Sequence, residues 1–294
     1  MTGEGTIIRG VGGFYYIHDG KDVYECRARG IFRNRNEKPL VGDKVVFDIT
    51  DAADLKGNVV SIADRKNSLI RPAVANVDRV MVVFAVSAPA PNLNLLDRFL
   101  IMMKKRGIPV VILWNKCDLL PDEKSAVFEE IYRNSGHDMY RISAGSGNGV
   151  EKVRELLKDS VTVLAGPSGV GKSTLINRIC PEAEMMTGGL SRKNMRGRHT
   201  TRHTELFAVQ GGGYILDTPG FSALDIFAED LRDLEDCYAE FAEYRKTCRF
   251  MDCAHINEPD CGVKAAVAEG AVHRIRYENY VQLSKELADR KKYR

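Results

Sequence analysis

No apolar stretch in this sequence approaches the roughly 18 residues that a membrane-spanning helix requires. The longest apolar runs, such as VMVVFAV from Val80, fall well short of that length. The opening residues, MTGEGTIIRG, also lack the basic start and apolar centre of a secretory signal. We therefore expect a cytoplasmic protein that makes no contact with membranes.

Neither sign of charge is in large excess, since 43 Lys and Arg face 40 Asp and Glu and the net charge is +3. Hydrophobic residues make up 44% of the 294 positions and charged residues 28%. These fractions are those of an ordinary globular protein, and they exclude a disordered or fibrous chain. The length allows two or three domains.

The first 65 residues consist of short segments rich in β-branched and aromatic residues, separated by Gly and Asp. The segments are GTIIRGVGGFYYIHD, DVYECRA, DKVVFDIT and GNVVSIA. Such short, turn-punctuated strands predict a small closed β-barrel of the OB type over residues 1–65. OB barrels commonly bind nucleic acid, although many serve only as spacers. The segment RKNSLIRPA from Arg65 is our predicted hinge to the next domain.

From residue 66 to 223 apolar strands alternate with amphipathic helices. VDRVMVVFAVS, PVVILWNKCD, DMYRISA, VTVLAG, TELFAV and GYILDTPG have strand patterns, and the segments between several of them have helical patterns. This alternation predicts an α/β domain built on a mostly parallel sheet.

The stretch GPSGVGKST matches the phosphate-binding pattern G-x-x-x-x-G-K-[ST] between a strand and a helix. Its backbone N–H groups and the helix N-terminus can hold phosphates, Lys172 can reach the β- and γ-phosphates, and Ser173 can bind Mg²⁺. The predicted nucleotide contacts here are Gly166, Pro167, Ser168, Gly169, Val170, Gly171, Lys172, Ser173 and Thr174. The loop alone does not select a base, and it would also suit a nucleoside-monophosphate kinase of the guanylate type.

Three further stretches follow predicted strands and favour guanine. In NKCD, Asp118 can accept hydrogen bonds from guanine N1–H and N2–H₂, a donor pair that adenine lacks, while Asn115 fixes the loop and Lys116 packs over the ring. The second stretch, ISA, supplies Ser143 and Ala144, whose N–H could reach guanine O6. The third, DTPG, offers Asp217 to Mg²⁺ and the N–H of Gly220 to the γ-phosphate.

The order of these motifs is unusual. An ordinary GTPase begins with the phosphate loop, whereas here NKCD and ISA precede it, and Thr200, Thr201 and DTPG follow it. This order is a circular permutation of the ordinary one. With the barrel and the C-terminal cysteine cluster, the whole chain resembles the bacterial ribosome small-subunit-dependent GTPase family. The resemblance implies an N-terminal OB barrel, a circularly permuted GTPase domain and a C-terminal zinc domain.

The same resemblance implies that the protein hydrolyses GTP to GDP and phosphate during late maturation of the small ribosomal subunit, with turnover stimulated by that subunit. We therefore expect GTP, Mg²⁺, the small subunit and its 16S rRNA as partners of a monomeric protein. Two alternatives remain open from the residues alone: the kinase, and an RNA-binding scaffold in which the nucleotide is only a structural ligand.

The basic loop RKNMRGRHTTRH lies where switch I belongs. Thr201, or alternatively Thr200, should close over Mg²⁺ when γ-phosphate is present. After DTPG the chain has Phe221 where many GTPases place a glutamine that orients the attacking water. His199 is our candidate for that role, so the predicted catalytic residues are Lys172, His199 and Thr201.

The seven cysteines are an odd number, and three of them crowd into CRFMDCAHINEPDC. Cys248, Cys253, His255 and Cys261 supply three thiolates and one imidazole, a set that suits a closed tetrahedral Zn²⁺ site without a catalytic position. The alternative is reduced cysteines that pack as small apolar groups. We expect one structural Zn²⁺ in a mainly helical domain over residues 224–294.

Overall fold

The computed structural model describes residues 1–28, 32, 38–70, 72–183, 204–218 and 231–292. Thirteen strands lie in these ranges: β1 Thr2–Val11, β2 Phe14–His18, β3 Val23–Ala28, β4 Lys44–Asp51, β5 Lys56–Ile62, β6 Ser68–Ile70, β7 Ala73–Ala75, β8 Arg79–Ala85, β9 Val110–Asn115, β10 Asp138–Arg141, β11 Val161–Ala165, β12 Leu206–Val209 and β13 Gly213–Asp217.

The α-helices of the same ranges are α1 Leu93–Lys105, α2 Asp122–Tyr132, α3 Val150–Leu157, α4 Lys172–Ile179, α5 Leu231–Glu235, α6 Gly262–Ala268 and α7 Arg274–Lys292. Short 3₁₀ turns add Cys117–Leu119, Pro181–Ala183, Ala239–Phe241 and Tyr244–Thr247. Within the described ranges no helix is both long enough and apolar enough to span a membrane.

The chain divides into two compact units. The first comprises Met1–Met81, Gly147–Ala165 and Lys172–Pro219, and the second comprises Val82–Ser146, Gly166–Gly171 and Gly220–Arg294. Strand β8 contributes residues to both. The division into domains at residues 65 and 223 remains a prediction.

In the first unit, β1 to β5 close into a barrel of order β1-β2-β3-β5-β4, which confirms the predicted barrel. The stretch that reads as one strand-rich segment from Gly5 forms two antiparallel strands, because Gly12 and Gly13 make a tight turn at positive φ. The interior is filled by apolar side chains, chiefly Ile7, Ile17, Tyr24, Cys26, Phe32, Val45, Phe47 and Val59.

The predicted hinge from Arg65 contains the antiparallel strands β6 and β7. The side chains of Asn67 and Asn76 tie its two ends together: Asn67 bonds with both backbone polar groups of Val77, and Asn76 accepts from the Lys66 N–H. Asn76 also donates to the Gly42 carbonyl of the barrel segment, at 3.0 Å. These bonds hold the segment against the barrel.

The α/β pattern is confirmed in both units. In the first unit the strand order is β8-β11-β13-β12, with β11 and β13 parallel and β12 antiparallel. In the second unit the order is β10-β9-β8, with β9 and β10 parallel. Each predicted strand of residues 66–223 is a strand in the structure.

The C-terminal part of the second unit is mainly helical, as predicted. Its core is formed by α5, α6, α7 and the turns between them, together with Ile101 of α1. Tyr238, Phe241 and Tyr280 are fully buried there and pack in edge-on and stacked pairs.

Candidate functional site

Asn115 ends β9 and is almost fully buried. Its Nδ2 donates to the Val170 carbonyl of the phosphate loop at 2.8 Å, and its Oδ1 accepts from the Ala144 N–H at 2.9 Å. The parallel register of β9 and β10, which pairs Trp114 with Arg141, brings the ISA turn to this point. One side chain therefore joins all three stretches that the sequence assigns to the nucleotide in this unit.

The N–H of Ala144 is consequently not open for guanine O6 alone. A contact with O6 would require this donor to be shared between Asn115 and the base. Its neighbour Ser143 is buried, and its hydroxyl accepts from the Ser146 N–H at 3.1 Å, which fixes the turn. Its contact with the nucleotide remains a prediction.

Lys116 adopts the left-handed conformation, with φ of 63°. Its Nζ donates to the Gly169 carbonyl at 2.7 Å and also to the Ala88 carbonyl beyond β8. The lysine stem thus lies across the phosphate loop, in the position from which it could cover a base.

Asp118 lies in the 3₁₀ turn Cys117–Leu119 and is exposed to solvent. Strong guanine selectivity requires a desolvated carboxylate, so a bound base would have to cover this turn. The turn itself is held by the Cys117 N–H, which donates to the Ile142 carbonyl at 3.2 Å.

The phosphate loop requires glycine at two close contacts. Gly166 has φ of 147°, and a Cβ there would lie 2.2 Å from the Val83 carbonyl oxygen. Gly171 has φ of 101°, and a Cβ there would lie 2.4 Å from Asn115 Nδ2. A side chain at either position would displace the loop or the asparagine that holds it.

The first unit holds further residues that the sequence assigns to the nucleotide. Register pairs Leu164, at the end of β11, with Asp217, at the end of β13. The backbone N–H and the hydroxyl of Thr218 both donate to the Leu164 carbonyl, at 3.1 and 3.0 Å. The start of DTPG is thereby fixed beside the strand that leads into the phosphate loop.

Lys172 begins α4 and is buried. Desolvation lowers the pKa of its ammonium group, and the charge of Asp217 opposes that effect. Ser173 and Thr174 follow in the first turn of α4 and are half-buried. A serine hydroxyl and an aspartate carboxylate are the oxygen ligands that Mg²⁺ prefers.

Four predicted residues lie outside the described ranges: His199, Thr200, Thr201 and Gly220. Their roles as water-positioning group, Mg²⁺ ligand and γ-phosphate donor remain predictions from the sequence.

Cys248, Cys253, His255 and Cys261 come together as the sequence predicts, with their four ligand atoms within 4.8 Å of one another. The sulfur atoms of Cys248 and Cys261 are 3.8 Å apart, and His255 Nδ1 lies 3.5 and 3.3 Å from them. Two sulfurs bound tetrahedrally to one ion at about 2.3 Å would be separated by about 3.8 Å. The donor set and its spacing therefore fit a tetrahedral metal ion.

The loop around these ligands is shaped by Glu258. Its carboxylate accepts from the backbone N–H groups of Ala254, Ile256 and Asn257 at 3.0–3.1 Å. His255 itself has φ of 59°, a left-handed conformation that this network stabilises. Burial raises the pKa of Cys253 to about 12, so a bound cation would have to displace the thiol proton.

Sequence reasoning missed a buried ion cluster in the second unit. The Arg276 guanidinium donates to the carboxylates of Glu240, at 2.7 Å, and of Asp97. Asp97 also accepts from Tyr132 at 2.8 Å and from Asn279 at 2.7 Å. One signal was available: Asp97 interrupts the apolar face of LNLLDRFLIMM. The cluster fastens the C-terminal helices to α1.

Comparison with known proteins gives a consistent result over the full chain. The RsgA N-terminal domain family matches residues 4–54, and the RsgA GTPase family matches residues 62–227. A curated relative from Agathobacter rectalis, named small ribosomal subunit biogenesis GTPase RsgA, is 46% identical over 100% of both chains.

Two solved structures are similar throughout. YjeQ from Thermotoga maritima is 34% identical with a TM-score of 0.79, covering 98% of this chain and 99% of that one. YloQ, described as a circularly permuted GTPase, is 36% identical with a TM-score of 0.78, covering 99% of this chain and 96% of that one.

Proposed function

The chain belongs to the RsgA GTPase family, and we propose that it hydrolyses GTP as a cytoplasmic biogenesis factor of the small ribosomal subunit. In this proposal the monomeric protein binds the subunit through 16S rRNA during late maturation, and the subunit accelerates turnover. The proposal is supported by 46% identity over the whole length to the Agathobacter rectalis relative, which is named small ribosomal subunit biogenesis GTPase RsgA.

The hydrogen bonds of Asn115 carry the most weight for nucleotide binding. They hold the phosphate loop and the ISA turn next to the NKCD turn. Hydrogen bonds within the protein that order a binding site reduce the conformational entropy lost on binding. Asp118 then accepts from N1–H and N2–H₂ of guanine, and the Lys116 stem covers the ring.

Backbone N–H groups of Gly166–Gly171 bind the phosphates, and Lys172 pairs with the β- and γ-phosphate oxygens. Ser173, Thr201 and Asp217 would hold Mg²⁺, which supplies neutralising charge to the β- and γ-oxygens when bound. Burial of Lys172 strengthens its attraction to the phosphates, because water screens a buried charge less.

His199 positions the attacking water in our proposal, since Phe221 cannot hydrogen-bond to it. The five Lys and Arg residues of the loop that carries His199 repel one another unless an anion is near. Phosphates of 16S rRNA can be that anion, which would explain acceleration by the subunit.

Cys248, Cys253, His255 and Cys261 hold one structural Zn²⁺ in this proposal. When bound, the ion would cross-link the end of the turn Tyr244–Thr247 to the N-terminus of α6. Four protein ligands leave no open coordination position, so the ion takes no part in hydrolysis.

Sedimentation with purified ribosomal subunits tests the proposed partner. The full-length protein with a non-hydrolysable GTP analogue should pellet with small subunits and not with large subunits. High salt should weaken the association, because phosphate contacts release counterions. Equal pelleting with both subunits, or none with either, would contradict the assignment.

A further inference from the structure

His255 presents its two ring nitrogens to different surroundings. Nδ1 faces the sulfurs of Cys248 and Cys261 at 3.5 and 3.3 Å, so it is the nitrogen positioned to bind a metal ion. The ring packs edge-on against Phe241, and the backbone carbonyl of His255 accepts from the Tyr277 hydroxyl at 2.7 Å. The orientation of the imidazole is therefore set by its surroundings.

The opposite nitrogen, Nε2, is buried and makes no hydrogen bond within the part of the chain that the structure describes. When Nδ1 binds a metal, Nε2 must carry the proton of the neutral ring. A buried N–H without an acceptor destabilises the folded state, so an acceptor is expected. The nearest candidate is Glu235, whose Oε2 lies 3.5 Å from Nε2.

Glu235 is suited to accept this bond. It ends α5 and its side chain is only 15% exposed. Its other oxygen, Oε1, accepts from Arg245 Nη1 at 3.0 Å, which fixes the carboxylate and balances its charge. The charge balance matters because Zn²⁺ with three thiolates carries a net charge of −1 and would repel an uncompensated carboxylate.

We propose that Glu235 is a positioning residue of the metal centre, whose carboxylate accepts from His255 Nε2–H and holds the ring in the tautomer that binds Zn²⁺ through Nδ1. This inference rests on the zinc centre of the proposed function. The carboxylate also makes the imidazole a stronger donor to the ion, because it stabilises positive charge on the ring. Movement of a few tenths of an ångström would bring the 3.5 Å contact to hydrogen-bond length.

Substitutions of Glu235 in the full-length protein test the role. Glu235→Ala should lower zinc affinity by about 10- to 100-fold, as loss of such outer partners does in other metal sites. Glu235→Gln should lose less, since its amide oxygen can still accept. Affinity is measured by competition with a chromophoric chelator. Unchanged circular dichroism and GDP binding verify that each variant is folded.

Asp236→Asn is the matched control. Asp236 is the next residue and also bonds to Arg245, at 2.6 Å, but its side chain is 64% exposed and is not the group that faces His255. This variant should keep the zinc affinity of the unaltered protein. If Asp236→Asn lowered affinity as much as Glu235→Ala, the effect would belong to Arg245 and the proposal would be wrong.

Nitrogen-15 NMR of the unaltered, zinc-loaded protein gives a readout that a purely structural role would not move. We expect zinc on Nδ1 and a proton on Nε2 of His255. Zinc on Nε2 would overturn the role of Glu235 while leaving the zinc centre in place. A protein that bound no zinc at all would contradict the centre itself, and the ribosome experiments above would be unaffected.

Discussion

In the proposed site, Asp118 selects the base through the two oxygens of one carboxylate. In Asp118→Asn the acceptor facing guanine N2–H₂ becomes a donor, which instead matches the carbonyl of xanthine. Loss of one charge-assisted hydrogen bond, with two donors facing each other in its place, and loss of the negative charge from the remaining bond should weaken GDP binding by about 100-fold or more and improve XDP binding. Titration with fluorescent GDP and XDP measures both changes.

Glu123→Gln is the control for this variant, because Glu123 is an exposed carboxylate of the next helix. It should leave both affinities unchanged. Equal binding of GDP and XDP by the unaltered protein would show that Asp118 does not read the base.

His199 allows a test of the hydrolytic step. His199→Ala should keep its GTP affinity while turnover on small subunits falls by about 100-fold or more, since only positioning of the water is lost. The matched control is His203→Ala, the other histidine of the same loop. Multiple-turnover phosphate release, with affinity measured separately, checks the prediction. Unchanged turnover would remove His199 from the mechanism.

Asp78 gives the stability of the fold a defined pH dependence. It accepts from the Val161 N–H at 2.7 Å and from Lys66 Nζ, joining the starts of β8 and β11. Burial opposes ionisation, but these donors lower the pKa of Asp78 below its ordinary value. Because this pKa is lower in the folded chain, the ionised carboxylate stabilises the folded chain at pH values above the pKa of an unfolded chain, about 3.9. The stabilisation is lost as the pH falls through the pKa of Asp78 in the folded chain.

Asp78→Asn should therefore lower the urea midpoint at pH 7. The difference in midpoint between the variant and the unaltered protein should become smaller toward pH 3. Asp54→Asn serves as control, because the pair that Asp54 forms with Lys56 is exposed and therefore contributes little. A difference that stayed constant from pH 7 to pH 3 would show that the charge of Asp78 has no part in it.

At the scale of elements, Arg276 of α7 holds α1 and the turn Ala239–Phe241 together. Arg276→Met would leave the carboxylates of Asp97 and Glu240 buried without a counter-charge. Breaking such a buried pair costs about 3–5 kcal/mol of unfolding free energy. Urea unfolding followed by Trp114, which is fully buried near Tyr132, measures the loss.

Arg274→Met provides the comparison on the same helix, since Arg274 is exposed and its partner Glu278 lies one turn away on the surface. It should change the unfolding free energy by less than about 0.5 kcal/mol. Similar losses for both variants would contradict a special role for the buried cluster.

The elements were predictable where the pattern is local. Continuous apolar strands such as β8 and β9, and the motif residues that follow β9, are visible in the sequence because burial and the proposed base recognition both require particular residue types there. The hairpin β6–β7 was not, because its stability comes from the side chains of Asn67 and Asn76, which have no periodic signal. Nor could sequence pattern pair Arg276 with Asp97, which lie 179 residues apart.

Within the site, the same distinction holds. The spacing of three cysteines and one histidine predicted that these four side chains come together, because all of them lie in one short loop. Glu235 escaped notice because a carboxylate in an acidic helix has no distinguishing pattern, and only its distance from His255 reveals it. The hydrogen bond from the Ala144 N–H to Asn115 Oδ1 likewise has no signal in the sequence and is visible only in the structure.

For the whole molecule, the permuted order of motifs distributes the predicted nucleotide contacts over two compact units. NKCD, ISA and the phosphate-loop glycines belong to one unit, whereas Lys172, Ser173 and Asp217 belong to the other. Nucleotide that binds the folded chain and not the unfolded chain should raise the urea midpoint, and the midpoint should rise further with nucleotide concentration.

The rate of phosphate release by the purified full-length protein, with and without small ribosomal subunits, directly tests the proposed GTP hydrolysis and its stimulation by the small subunit. We predict that small subunits accelerate GTP hydrolysis, that large subunits do not, that ATP is not hydrolysed, and that Lys172→Ala abolishes the signal. A rate of GTP hydrolysis that small subunits leave unchanged, or an equal rate of ATP hydrolysis, would contradict the proposed function.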